Sequence, residues 1–120
     1  MPDLSPEAKE RARRTIEVSR VIAEHADEIA EATLTVPEGH VLVAVVDGDY
    51  QFAGMHWVSE SDLIARVADL EGPGGSAMVF NRAIEPDHVH GRTTELASIA
   101  AKRIETIDRI TARREQREDS

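Results

Sequence analysis

Cysteine is absent from the 120 residues, which excludes disulfide bonds, thiolate metal ligands and a cysteine nucleophile. Long apolar runs are also missing. The longest, residues 41–46, has six residues, whereas a membrane-spanning helix needs about 20. The first residues lack the basic and then apolar pattern of a secretory signal. We therefore expect a cytoplasmic protein that does not associate with membranes.

Motifs that would indicate catalysis are lacking as well. No G-x-S-x-G sequence is present, and the glycine-rich segment 72–75 follows a predicted helix, whereas a phosphate-binding loop precedes one. The acidic pair Asp47 and Asp49 lies in a predicted turn, where the backbone geometry favours aspartate. We nominate no catalytic residue, and this favours a protein that is not an enzyme.

Acidic residues outnumber basic ones by 23 to 14, which gives a net charge of -9. The excess lies in the middle of the chain, because residues 35–91 contain 9 acidic and only 2 basic side chains. Such a charge disfavours direct binding to nucleic-acid phosphates or anionic membranes. The length and the 41% content of hydrophobic residues fit one globular domain over residues 1–120, with residues 1–4 and 115–120 expected to fray.

The sequence predicts a long helix at each end of the chain. The first one runs over residues 6–33, with Ser5 as the N-cap residue and Pro6 at the first helical position. The last one begins at residue 93 or 94 and ends near residue 117, after a segment at 82–91 that proline and glycine predict to be irregular.

Three strands and a short helix are predicted between the terminal helices. The sequence Asp-Gly-Asp at 47–49 is typical of a hairpin between strands at 40–46 and 50–57. A short helix over 63–71 and a strand over 76–81 follow. The fold class is therefore α+β, in the order α-β-β-α-β-α, with a small three-stranded sheet flanked by two long terminal helices.

The predicted helices are longer than the predicted sheet. They extend over roughly 42 and 36 Å, whereas the strands span roughly 20–26 Å. The helices therefore overhang the sheet, and their apolar stripes continue into the overhang. Either the two helices cover these stripes within a compact monomer, or a second chain does. We favour a homodimer or an obligate complex with another protein. The expected interface residues are Ile22, Ile29, Arg103, Ile107, Ile110 and Trp57.

Antiparallel pairing of the terminal helices would collect arginines at one end of the molecule. These residues could dock an acidic protein surface or a phosphate group. The alternative is an ordinary solvated surface, because glutamates lie one helical turn away. The candidate anion-docking residues are Arg11, Arg14, Arg113, Arg114 and Arg117.

Histidines supply the alternative hypothesis of a metal site. His88 and His90 would point the same way if their segment were extended, and imidazole is a common ligand for transition metals such as zinc. A hairpin turn centred at residues 47–49 would also place His40 opposite His56 and put Tyr50 and Phe52 on the same strand face as His56. The candidate ligands are His40, His56, Asp87, His88 and His90; otherwise these are surface histidines.

These patterns favour a small accessory or regulatory protein that acts through protein–protein contacts of its terminal helices and forms a homo-oligomer. A protein that binds a divalent transition metal or a small ligand, with or without metal-dependent catalysis, is the alternative hypothesis. The acidic segment 35–91 suggests a third function, the inhibition of a DNA-binding protein by imitating nucleic acid. No other cofactor is indicated by the sequence.

Overall fold

A computed structural model describes residues 5–118, which form four helices and a three-stranded antiparallel sheet. The α+β class is thereby confirmed. Along the chain the order is α-α-β-β-α-β-α, because the predicted first helix is divided into two. The elements are α1 (Pro6–Glu24), α2 (Ala26–Thr33), β1 (His40–Val46), β2 (Phe52–Ser59), α3 (Leu63–Glu71), β3 (Ser76–Phe80) and α4 (Pro86–Glu118), with a 3-10 turn at Glu60–Asp62.

The first helix begins as predicted but ends earlier. The hydroxyl of Ser5 accepts a hydrogen bond from the backbone N–H of Ala8 at 3.1 Å, and Pro6 follows the cap. The helix is interrupted at His25, whose backbone leaves the helical region at φ -107° and ψ 18°. The ring of His25 stacks on Phe52 at 4.1 Å between centroids, and its Nδ1 donates to the carbonyl oxygen of Val21 at 2.9 Å. This packing against the sheet accompanies a break that no glycine or proline marks.

The sheet has the order β2-β1-β3, so β1 is central and antiparallel to both neighbours. The predicted register of the hairpin is wrong: His40 pairs with Ser59, and His56 pairs with Val43. A register shift beside Val45 and the positive φ of 116° at Gly54 mark a bulge. Because an odd shift turns every side chain to the other face, His40 and His56 point to opposite faces, and Phe52 does not share a face with His56.

The hairpin turn explains part of the shift. The loop is closed by a hydrogen bond from the backbone N–H of Asp47 to the carbonyl oxygen of Gln51 at 2.9 Å. The Asp47 carboxylate accepts two further backbone hydrogen bonds, from Asp49 at 2.9 Å and from Gln51 at 3.0 Å. Tyr50 takes the left-handed conformation with φ 60°. The loop therefore consists of residues 48–50 and ends in a left-handed residue, so it lies one position further along the chain than the turn predicted at 47–49.

Both faces of β1 are covered, as its apolar side chains require. One face packs against α1, α2 and the first half of α4; its fully buried members include Ile22, Ile29, Leu42 and Phe80. The opposite face packs against α3, and this second layer is made of Val41, Val43, Val45 and Val58 with the flanking Leu63, Val67 and Leu70.

The last helix is longer than predicted, because the segment expected to be irregular is largely helical. It starts at Pro86, where proline is suited to the first helical position, and continues through Gly91. It has 33 residues and a length of about 50 Å. Residues 115–118, where the sequence predicts fraying, continue α4 as far as Glu118, whereas residues 1–4, 119 and 120 lie outside the described part. The molecule measures 62 × 28 × 25 Å, so it is elongated.

Candidate interaction surface

The terminal helices pair antiparallel, and their outer ends project past the sheet. Lys9 near the start of α1 forms an ion pair with Asp108 in the second half of α4. Arg14 marks the end of the sheet, because its Nε donates to the hydroxyl of Ser76 at 3.2 Å. We call the two outer helical segments the arm: residues 6–13 of α1 and residues 99–118 of α4.

The helices of the arm touch through small side chains. Ala8 and Ala12 of α1 are buried, as are Ala100 and Ile107 of α4. Alanine lets two helix backbones approach closely, so the apolar stripe of α4 is partly satisfied inside the chain. The arm is therefore an antiparallel helix pair. The apolar stripes that face each other are buried, and the lateral faces of the pair are left uncovered.

One side of the arm carries a groove of about 540 Å³. Ile107 and Ala8 belong to its apolar part, and Ile99, which is 49% exposed, stands at its edge. Among the described residues the lining contains three cations and no acidic side chain. We call this site the basic groove; it is lined by Ala8, Arg11, Ile99, Lys102, Arg103, Thr106 and Ile107.

The basic groove continues the face of α4 that packs on the sheet. In the sheet half, Arg92 lies with its guanidinium 4.8 Å from the centre of the Phe80 ring and donates to the carbonyl oxygen of Val79. Ile99 follows seven residues later, two helical turns further on, and so projects in nearly the same direction. The arm therefore exposes a surface that the sheet would cover if its strands were longer.

Within the described part of the chain, two cations of the groove, both on α4, lack the carboxylate partners that Arg20 has on α1. Arg20 lies 3.1 Å from a carboxylate oxygen of Glu17 and 2.7 Å from one of Glu24. The hydrogen bond to Glu17 is the largest cause, and the one to Glu24 the next, of a pKa of Arg20 above its ordinary value. Lys102 and Arg103 are exposed and have no such carboxylate partner among residues 5–118. These two side chains thus present positive charge that the described chain does not neutralise by contact.

A second site, at the start of α4, has the opposite charge. A shallow depression of about 290 Å³ lies where α2 ends and α4 begins. Leu34 is 67% exposed there, and the described lining contains three acidic side chains and no cation. We call this site the acidic corner; it is lined by Asp27, Ala30, Glu31, Leu34, Ile84, Glu85 and Pro86.

Thr33 holds the acidic corner together. Its backbone oxygen accepts from the N–H of Ala83 at 3.0 Å, and its hydroxyl accepts from the N–H of Ile84 at 3.1 Å. The same hydroxyl donates to the carbonyl oxygen of Ala30 at 2.6 Å. The segment before α4 is therefore fixed against the end of α2. Sequence reasoning missed this site, because Asp27 and Glu31 are more than 50 residues from Glu85 in the sequence and no local pattern brings them together.

The expected interface residues divide into two groups. Ile22 and Ile29 are completely buried in the chain's own core, and Ile107 is buried between the arm helices, so none of the three is open to a partner in this conformation. Arg103 is exposed, Ile110 is half-buried and Trp57 is 52% exposed on the edge strand β2. Ile99 and Lys102, which line the groove, were not among the nominated residues, although their helical spacing from Arg103 and Thr106 could have indicated them.

The candidate anion-docking arginines do not form one cluster. Arg14 turns inward, with its guanidinium 5.7 Å from the centre of the Tyr50 ring, and Arg13 lies 3.6 Å from Glu10. Because Lys9 pairs with Asp108, the positions of α4 beyond residue 111 extend past the start of α1. Arg113, Arg114 and Arg117 are on that extension, whereas Arg11 lines the groove.

The histidines are not brought together. His88 and His90 are in α4, so their side chains diverge by about 200° around the helix, and the expected extended segment is wrong. His40 and His56 are on opposite faces of the sheet. Asp87 is exposed in the first turn of α4. Within residues 5–118, no group of three or more histidine, aspartate or glutamate side chains is placed to hold a metal ion.

Comparisons with protein-family models, with curated proteins and with solved structures find no match for this chain. In the described part of the chain, no helix combines the length and the apolar character needed to cross a membrane.

Proposed function

We propose that this chain is an accessory or regulatory protein that acts by protein–protein contact, and that the basic groove of the arm binds a second copy of the chain. One observation carries this proposal: the basic groove leaves an isoleucine half exposed on a helix face that is covered in the sheet half. Ile99 is 49% exposed, whereas the same face of α4 is packed against Phe80 two turns earlier.

The physical reason is the cost of leaving apolar surface in water. Burial of apolar area contributes about 25 cal/mol per Å², and two helices alone cannot close the sides of their own contact. A second chain would remove Ile99 and the neighbouring groove wall from water. Two copies with a net charge of -9 repel each other at long range, and the cations of the groove offset this repulsion at the contact itself.

The test is the mass in solution, measured by light scattering after size exclusion over a range of concentrations. We expect a multiple of 13.2 kDa for the wild type. Replacing Ile99 with Asp should weaken association by about 30-fold, as expected for the loss of one apolar anchor. Ile64→Asp is the matched control, because Ile64 is 90% exposed on α3, outside the arm. Its mass should equal that of the wild type.

Unchanged circular dichroism and urea midpoints would show that both variants stay folded. A wild type of 13.2 kDa at every concentration up to the millimolar range would contradict the proposal. Equal loss of mass in Ile64→Asp and Ile99→Asp would contradict the assignment to the groove.

A further inference from the structure

We infer that the occupant of the basic groove is the acidic corner of the second copy, so that molecules associate head to tail. This inference rests on the proposed function and names the surface that the groove receives. Two depressions with opposite charge lie at separate positions along one elongated molecule, the acidic corner at the start of α4 and the basic groove beside residues 99–107. The basic groove contributes Arg11, Lys102 and Arg103, and the acidic corner contributes Asp27, Glu31 and Glu85.

The apolar parts of the two surfaces also complement each other. Leu34 is 67% exposed at the acidic corner, and Ile99 is 49% exposed at the basic groove, whose lining also includes the buried Ala8 and Ile107. If Leu34 with its acidic neighbours docked against Ile99 beside the groove cations, the contact would bury apolar area and pair charges at once. Among its described lining residues, neither surface carries charges of both signs, so the pairing of charges needs the two different surfaces together.

The two surfaces cannot meet within one molecule. Pro86 at the corner and Arg103 at the groove are both on α4, 17 residues apart, which corresponds to about 26 Å along a rigid helix. Because one continuous helix connects them, the charge complementarity can be satisfied only between copies.

A symmetric contact of groove with groove is disfavoured by charge. It would bring Lys102 and Arg103 of both copies together, and like charges facing each other across an interface are repulsive. Glu7 and Glu10 lie on the other side of Arg11, where they line a neighbouring depression with Tyr50, and the groove lining itself has no acid among the described residues. A head-to-tail contact instead leaves a free groove on one copy and a free corner on the other, so it grows into a ring or an open chain.

The test uses two double variants of the full chain. The groove variant carries Lys102→Glu and Arg103→Glu, and the corner variant carries Glu31→Arg and Glu85→Arg. All four side chains are exposed, so the fold should persist, which unchanged circular dichroism would verify. Each variant alone should associate more than about 100-fold more weakly than the wild type, because like charges then face each other. An Asp62→Arg, Asp69→Arg variant of exposed residues near α3 has the same charge change as the corner variant and should behave like the wild type.

The decisive sample is the equimolar mixture of the two variants. It should regain a mass above 13.2 kDa, because the basic groove of the corner variant can receive the acidic corner of the groove variant only if that corner is the natural occupant. A mixture that stays at 13.2 kDa overturns the inference. A corner variant that associates like the wild type, while the groove variant does not, overturns the inference but leaves the groove as the contact surface. A wild type that never associates overturns the proposed function itself.

Discussion

The sheet half and the arm use the same two helices with different results. In the sheet half, α1 and α4 pack on β1, and the side chains of Val41–Val46 are buried from both faces. In the arm the helices have only each other, so alanines and Ile107 are buried while Ile99 remains half exposed. The length of the sheet therefore decides where this molecule has a closed core and where it exposes a surface.

The largest expected effects come from replacing a buried isoleucine with alanine in each of the two regions. Ile22 in the sheet half has no exposed surface, and Ile107 in the arm is 4% exposed beside the groove. Ile22→Ala should lower the free energy of unfolding by about 4 kcal/mol, and Ile107→Ala by about 2 kcal/mol, because a site next to an open groove can relax or admit water. Urea denaturation of both variants at equal oligomer mass measures the difference. Equal losses would show that the arm is packed as tightly as the core.

A second pair of substitutions tests whether two glycines of the sheet half leave room for a Cβ atom. A Cβ at Gly75 would overlap the carbonyl oxygen of Glu71 at the end of α3 and lie 3.3 Å from that of Val46. Gly75→Ala should therefore destabilise the protein by about 3 kcal/mol. A Cβ at Gly91 would meet nothing within 4 Å beyond its chain neighbours and the backbone of its own helix. Gly91→Ala should therefore stabilise the protein by about 0.5–1 kcal/mol.

Thermal melting of the two alanine variants gives the sign of each change. A Gly75→Ala variant that melts with the wild type would mean that the loop before β3 moves freely. A destabilised Gly91→Ala variant would mean that α4 is not helical at its first turns, in agreement with the irregular segment that the sequence pattern predicts.

Much of the architecture could be predicted because hydrophobic periodicity and caps are local signals. Ser5 and Pro6 set the start of α1, and the apolar stretch 41–46 lies in the strand that is predicted at 40–46 and observed at His40–Val46. The break at His25 could not be predicted, because it coincides with stacking on Phe52, a residue 27 positions away in the sequence. The start of α4 was missed because Pro86 was interpreted as a helix breaker, although proline is well suited to a first helical position.

The candidate site was predictable only in part. The overhang of the terminal helices followed from helix and strand lengths, and Arg103 was nominated within it. The register of the hairpin could not be predicted, because one bulge beside Gly54 and a left-handed Tyr50 shift the pairing of His40 and His56. The acidic corner depends on contacts of Thr33 with residues about 50 positions away, and no local pattern encodes such a contact.

The smallest expected effect concerns the polar contact that joins the arm helices. Lys9 and Asp108 form an ion pair whose side chains are 27% and 53% exposed. Exposed pairs contribute less than about 1 kcal/mol and are weakened by salt. A double-mutant cycle with Lys9→Ala and Asp108→Ala, measured by urea unfolding at low and high salt, should therefore give a coupling of about 0.5 kcal/mol that shrinks as salt rises. A salt-independent coupling of several kcal/mol would mean that charge rather than alanine packing holds the arm together, and the contrast with the sheet half would then be electrostatic in origin.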